Sequence, residues 1–147
     1  MLALNDGSGA LTQGQAVAMT GVATDATGAP VLLVAPATKG DTVIGFMDVA
    51  MNLETVAGAD KTDVSGYKPG GTTAPTDHMV RVVTGGLFTY ALADESAGAI
   101  AVGDSLEASA TTGKLAKASQ ASPNGTAVGF AAGTLSDGRV AIYNSQH

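Results

Sequence analysis

The chain is 147 residues long and contains no cysteine, which excludes disulfide scaffolds, thiolate catalysis and cysteine-ligated zinc. Seven basic against thirteen acidic residues give a net charge of −6 and a pI near 4.5, wrong for binding nucleic acid along a basic stripe. Charged residues are only 14% of the chain and hydrophobic residues 45%, a balance that predicts a packed domain rather than a solvated, disordered one. No apolar run approaches the roughly 18 residues of a membrane span. The start, Met1 to Asp6, lacks the basic flank of a signal peptide, so the expectation is a soluble product made in the cytoplasm, with no membrane partner.

Residues 1–14 have the texture of an extended N-terminal arm rather than of a core element, and 15–147 read as a single β domain. Glycines punctuate short runs of Val, Ala, Thr and Phe that are too short for three helical turns and often alternate, as half-buried strands do. The predicted strands are Gln15–Val22, Pro30–Ala35, Thr42–Val49, Met79–Thr84, Leu87–Leu92, Ser105–Ala108, Lys114–Ala118, Thr126–Ala132 and Arg139–Asn144. Between Asp48 and Gly58 a short helix competes, with Asp48 as N-cap and Gly58 after its end. Residues 58–77 show no periodicity and read as a long loop, within an insert at about 51–78.

Two hairpins are predicted from turn chemistry. Gly85-Gly86 would place 79–84 beside 87–92, with Phe88, Tyr90 and Leu92 on one face, and Asp137-Gly138 would join the run at 126–132 to the last strand. Ile44-Gly45-Phe46 and Val128-Gly129-Phe130 echo each other. A glycine inside a strand marks a bulge or tight bend, and two such bends suit a compact barrel or strongly coiled sandwich. The fold class expected is therefore all-β. Ile44, Phe46, Phe88, Tyr90, Val128, Phe130, Val140 and Ile142 are expected to face the core.

The chemical motifs are weak. Gly103-Asp104-Ser105-Leu106 spells the signature of a serine hydrolase family, but no helical pattern follows it. His147 also follows Asn144-Ser-Gln, where that family has Asp-x-x-His. The simpler reading is Ile100–Val102 as a strand, Gly103-Asp104 as a turn and Leu106 returning to the core. Asp60-Lys-Thr-Asp63-Val-Ser65-Gly66 lacks the alternating acids and terminal glutamate of a calcium loop. His78 and His147 are too few for a metal centre, and His78 reads as a surface residue. Gly7-Ser-Gly9 and Gly113-Lys114 are fragments of phosphate-binding patterns without their context, and Asn124-Gly-Thr126 is an acceptor sequon without a secretory route. No catalytic residue, cofactor or metal is expected.

Val80-Arg-Val-Val-Thr-Gly85-Gly-Leu-Phe88-Thr-Tyr-Ala-Leu, Ala97-Gly-Ala-Ile100-Ala-Val-Gly103-Asp-Ser-Leu106, Gly113-Lys-Leu115, Ala127-Val-Gly129-Phe130 and Gly138-Arg-Val-Ala-Ile142 together resemble the capsid decoration, or cement, proteins of tailed bacteriophages. The resemblance covers mainly 79–143, with a weaker match at Val43–Asp48, and the 51–78 insert departs from the shorter members. It implies a β barrel or sandwich that forms a homotrimer on the outside of a virion, near local three-fold positions, and ties neighbouring major capsid proteins together. In that setting the arm could add a strand to the shell, with Leu2, Leu4 and Leu11 as capsid-binding side chains. A receptor- or glycan-binding module of a phage fibre, using the 58–77 loop, is the alternative. A hydrolase acting through Ser105 is a distant third.

Overall fold

The structure, a computed structural model, describes residues 1–25, 28–55, 64–118, 127–135 and 137–144. Among them there are thirteen strands and no helix. In chain order these are β1 (Leu2–Asn5), β2 (Leu11–Thr12), β3 (Ala16–Thr24), β4 (Pro30–Pro36), β5 (Val43–Thr55), β6 (Val64–Pro69) and β7 (Thr73–Ala74). They continue with β8 (Met79–Val83), β9 (Gly86–Leu92), β10 (Ser105–Ala108), β11 (Leu115–Lys117), β12 (Ala127–Leu135) and β13 (Arg139–Asn144). The all-β expectation holds.

The first sheet has the order β3-β4-β1-β8-β5-β6, and β3 also pairs with β5, so five of its strands close into a ring. Only β1 and β4 run parallel; every other pair in the ring is antiparallel. Along β8, Val80 and Val82 are buried while Arg81 between them is exposed, which places the two valines inside the ring. With Ala3, Val17, Val34 and Met47 they form an aliphatic core, joined by Leu11 and Ala74 from the two-stranded β2–β7 ribbon.

The second sheet, β11-β10-β12-β13-β9, is antiparallel throughout. Beyond β9, Ala93 bridges in parallel to Leu115 of β11, and Asp94 N–H donates to the Leu115 carbonyl at 2.7 Å, so this sheet also closes, by a much thinner seam. Its inner side carries Phe88, Leu106, Leu115, Val128, Val140 and Ile142, packed against Ala16, Val43 and Phe46 from the first sheet. The Phe46 and Phe88 rings stack at 5.1 Å.

A short strap ties the units together. Gly14 N–H donates to the Met47 carbonyl at 2.8 Å, and Leu92 N–H donates to the Gly14 carbonyl at 2.9 Å. Gly14 has φ +93, and a Cβ there would lie 2.1 Å from the Tyr90 carbonyl oxygen, so no other residue fits without displacing β9. The Arg139 guanidinium donates to the carbonyls of Gln13 and Tyr90, clamping the strap onto β9.

Several expectations are corrected. Residues 1–14 are no arm: β1 lies between β4 and β8, and Leu11 is fully buried. Asn5 secures the stretch: its amide donates to the carbonyls of Gly9, Ala74 and Pro75 and accepts from Gly7 N–H, so a buried polar group is fully satisfied. No helix begins at Asp48, because β5 continues to Thr55 in register with β6 and β8. The predicted 58–77 loop contains β6 and β7, while 56–63 lie outside the described residues.

Gly85-Gly86 does not turn a hairpin. β8 and β9 belong to different sheets, and Gly86, at φ +75, carries the chain across. The Asp137-Gly138 hairpin forms as expected, with both residues at positive φ, 72° and 68°. Gly45 and Gly129 are indeed close-approach positions, since a Cβ would meet the carbonyl oxygens of Val83 and Tyr143 at 2.4 and 2.1 Å. Ile100–Val102 is not a strand, although Ile100 is buried.

Two of the eight expected core residues, Tyr90 and Phe130, point outward, and Ile44 is only half-buried. Bulges explain the first two. Val140 and Ile142 of β13 face Ala91 and Phe88 of β9, so β9 fits an extra residue and buries positions three apart, leaving Tyr90 outside. On β12, Leu106 and Glu107 face Gly129 and Ala127, so Val128 is the extra residue and Phe130 is turned out.

Candidate functional site

Ser105 is the first candidate to place. Gly103 (φ +87) and Asp104 form a turn in which Asp104 N–H donates to the Ala101 carbonyl at 3.0 Å, while Asp104 Oδ2 accepts from Ala101 N–H at 2.8 Å. The carboxylate also lies 3.5 Å from Lys117 Nζ. Ser105 then enters β10 opposite Phe130, and Leu106 is fully buried. The turn chemistry accounts for the motif. His78 belongs to the first sheet's side of the molecule, where Nε2 is 2.9 Å from Asn52 Oδ1, and His147 lies outside the described residues.

Residues 60–63 of the acidic loop and the 124–126 sequon lie outside the described residues, and among those described no group of three metal-ligating side chains exists. Gly113 (φ +81) turns the chain between β10 and β11. Nearby, Asp94 accepts from Ser96 Oγ at 2.6 Å, Ser96 N–H at 3.0 Å and Ser109 Oγ at 2.9 Å. Hydrogen bonds from Ser96, then Ser109 and Thr111, hold the Asp94 carboxyl well below the usual carboxylate range.

The three leucines proposed for shell binding are not brought together. Leu11 is inside the core, Leu4 is half-buried beside Met79 on the outer side of the first ring, and Leu2 is exposed opposite Arg81. Leu11 therefore cannot fill a pocket on another protein while the domain stays folded.

The strongest surface feature is one that the local pattern hid. On the outer side of the second sheet, Tyr143 of β13 stands opposite Leu87 of β9 on one flank and Phe130 of β12 on the other. These residues are 60% (Leu87), 57% (Tyr143) and 52% (Phe130) exposed. Strands about 4.8 Å apart put the three side chains in a row about 10 Å long. Tyr90 is exposed on the same strand as Leu87, held edge-on to Phe88 at 6.0 Å. A contiguous apolar patch of this kind on a protein surface is often functional. The β12 bulge that turns Phe130 outward helps to create it.

A second feature is a cavity of about 320 Å³ on the outer side of the first ring, lined by residues of β1, β5, β6 and β8, by the end of β3 and by the turn before β8. Leu4, Met51 and Met79 lie in it as cross-strand neighbours on β1, β5 and β8.

Compared with known proteins, the chain matches no family model, no curated protein and no solved structure.

Proposed function

We propose that this chain is a structural component of a phage virion, a decoration protein that stabilises the outside of the capsid by bridging major capsid proteins. The observation that carries the reading is the exposed row Leu87–Tyr143–Phe130, which falls inside the segment, 79–143, that resembles the cement proteins. The row sits on a paired ladder, so the backbone that presents it is already ordered before docking. Contact is made by this rigid face rather than by a docking arm, because residues 2–5 and Leu11 are committed to the first ring. Self-association as a homotrimer belongs to the same reading.

Mass spectrometry of purified virions is expected to find the chain in near-stoichiometric amount with a major capsid protein. Light scattering of the isolated protein should give about three times the 14.4 kDa chain mass. Absence from virions overturns the reading, and a monomer both free and on the particle overturns its trimeric part. Adjacent exposed aromatic rings, Phe130 and Tyr143, also favour a second reading, a glycan-binding module stacking sugars on the row. Binding on a glycan array that is lost in Tyr143→Ser would establish it.

A further inference from the structure

From the cavity on the first ring we infer a binding site for a small organic cation, an ammonium group carried on an apolar body of about ten non-hydrogen atoms. The floor is apolar and polarisable: Met51 and Met79 face each other across β5 and β8, and Leu4 completes the row from β1. Leu53 and Tyr67, a cross-strand pair on β5 and β6, form one wall. Thioethers and an aromatic ring suit a cation's apolar flank better than aliphatic side chains alone. At about 320 Å³ the cavity falls at the lower end of the size range of small-ligand sites.

The rim decides the charge. Asp25 and Asp77 both line the cavity, and among the described lining residues there is no lysine or arginine. Arg81, the nearest basic residue along β8, is engaged elsewhere: its guanidinium donates to Asp48 Oδ2 at 2.6 and 2.9 Å. Asp77 is also held in place by its backbone. It has φ +63, and its N–H donates to the carbonyl of the buried Asn5 at 2.8 Å. The next residue, His78, is fixed by Pro75 through its N–H and by Asn52 through its ring. A carboxylate on a rigid turn above a methionine floor is complementary to an ammonium head with its apolar body inserted below.

The test uses the full chain with labelled methionine methyl groups and three ligands of matched shape: phenethylammonium, 2-phenylethanol and 3-phenylpropanoate. Phenethylammonium is expected to give saturable shifts at the Met51 and Met79 methyls, the neutral alcohol to bind at least several-fold more weakly, and the anion not to bind. Asp77→Asn, which keeps the side-chain size and tolerates positive φ, should remove the preference for ammonium over alcohol while the thermal midpoint stays in place. Asp25→Asn serves as an independent second variant if the first fails to fold. Unmoved methyls, equal binding of ammonium and alcohol, or an ammonium preference that survives both substitutions would each overturn the inference.

Discussion

The two closed β units of this molecule solve the same packing problem differently. The first seals itself by continuous strand pairing around an aliphatic interior, and its outer side sets the Arg81–Asp48 ion pair beside the apolar row Leu4, Met51 and Met79. The second is closed by a thin seam of Ala93 and Asp94 on Leu115, takes Phe46 from its neighbour into its core, and exposes Leu87, Tyr143 and Phe130. The first unit thus encloses a core of its own. The second depends on its neighbour inside and presents an unfinished apolar surface outside.

The largest expected effect concerns the first unit. Deleting residues 1–14 removes β1 from the centre of the ring together with buried Leu11 and the Asn5 bonds, and circular dichroism should show an unfolded chain. A cooperative melt of the truncated protein would show that the stretch is dispensable. Next come the two Gly-Phe segments, which set the units directly against each other. Phe46→Ala opens a cavity at the shared core and should cost about 3–5 kcal/mol in denaturant unfolding. Phe130→Ser, in the equivalent place of the echoing sequence, should change stability by no more than about 0.5–1 kcal/mol, yet on the proposed decoration role abolish co-sedimentation with phage heads that lack the protein. Equal losses of stability from the two would dissolve the distinction between the units.

A smaller effect is expected at the strap. Gly14→Ala places an L side chain at φ +93 against β9 and should destabilise by at least about 1–2 kcal/mol, with amide exchange accelerating first in β9 and β13. The smallest involves acid. The Asp94 carboxyl is held below its ordinary value, so its contribution is fully present above the unfolded carboxylate range near 3.9 and fades as pH falls from there toward the folded value. Amide shifts of Ser96 and Thr111 should therefore stay native through mild acid. Movement already at pH 5 would contradict the hydrogen-bonded turn.

Local pattern was enough to locate β10 and β13, which start just after the turn residues Gly103-Asp104 and Asp137-Gly138, and to assign the Asp137-Gly138 hairpin. It was not enough for β1: Leu2-Ala-Leu-Asn5 is short, and its partners lie about 30 and 77 residues away. Gly85-Gly86 misled because positive φ suits a sheet-to-sheet crossing as well as a hairpin turn. The aromatic residues of the row were visible, but which side they face depends on single-residue bulges at β9 and β12. Strict alternation assigns Phe130 and Tyr90 inward, and one extra residue reverses each. The methionine-floored cavity left no local signal, since Leu4, Met51 and Met79 meet only through pairing across the ring.

The place of β1 between β4 and β8 also sets the order in which the molecule can form. β4 lies about 30 residues from β1, but the other flank of the slot is supplied by residues 79–81, so the ring cannot close until that more distant stretch has arrived. Such long-range closure loses chain entropy before its contacts form, and it favours refolding in milliseconds to seconds rather than microseconds. Stopped-flow refolding should accordingly show the burial of Ala3 and Leu11 among the late events, after the β12–β13 hairpin has formed.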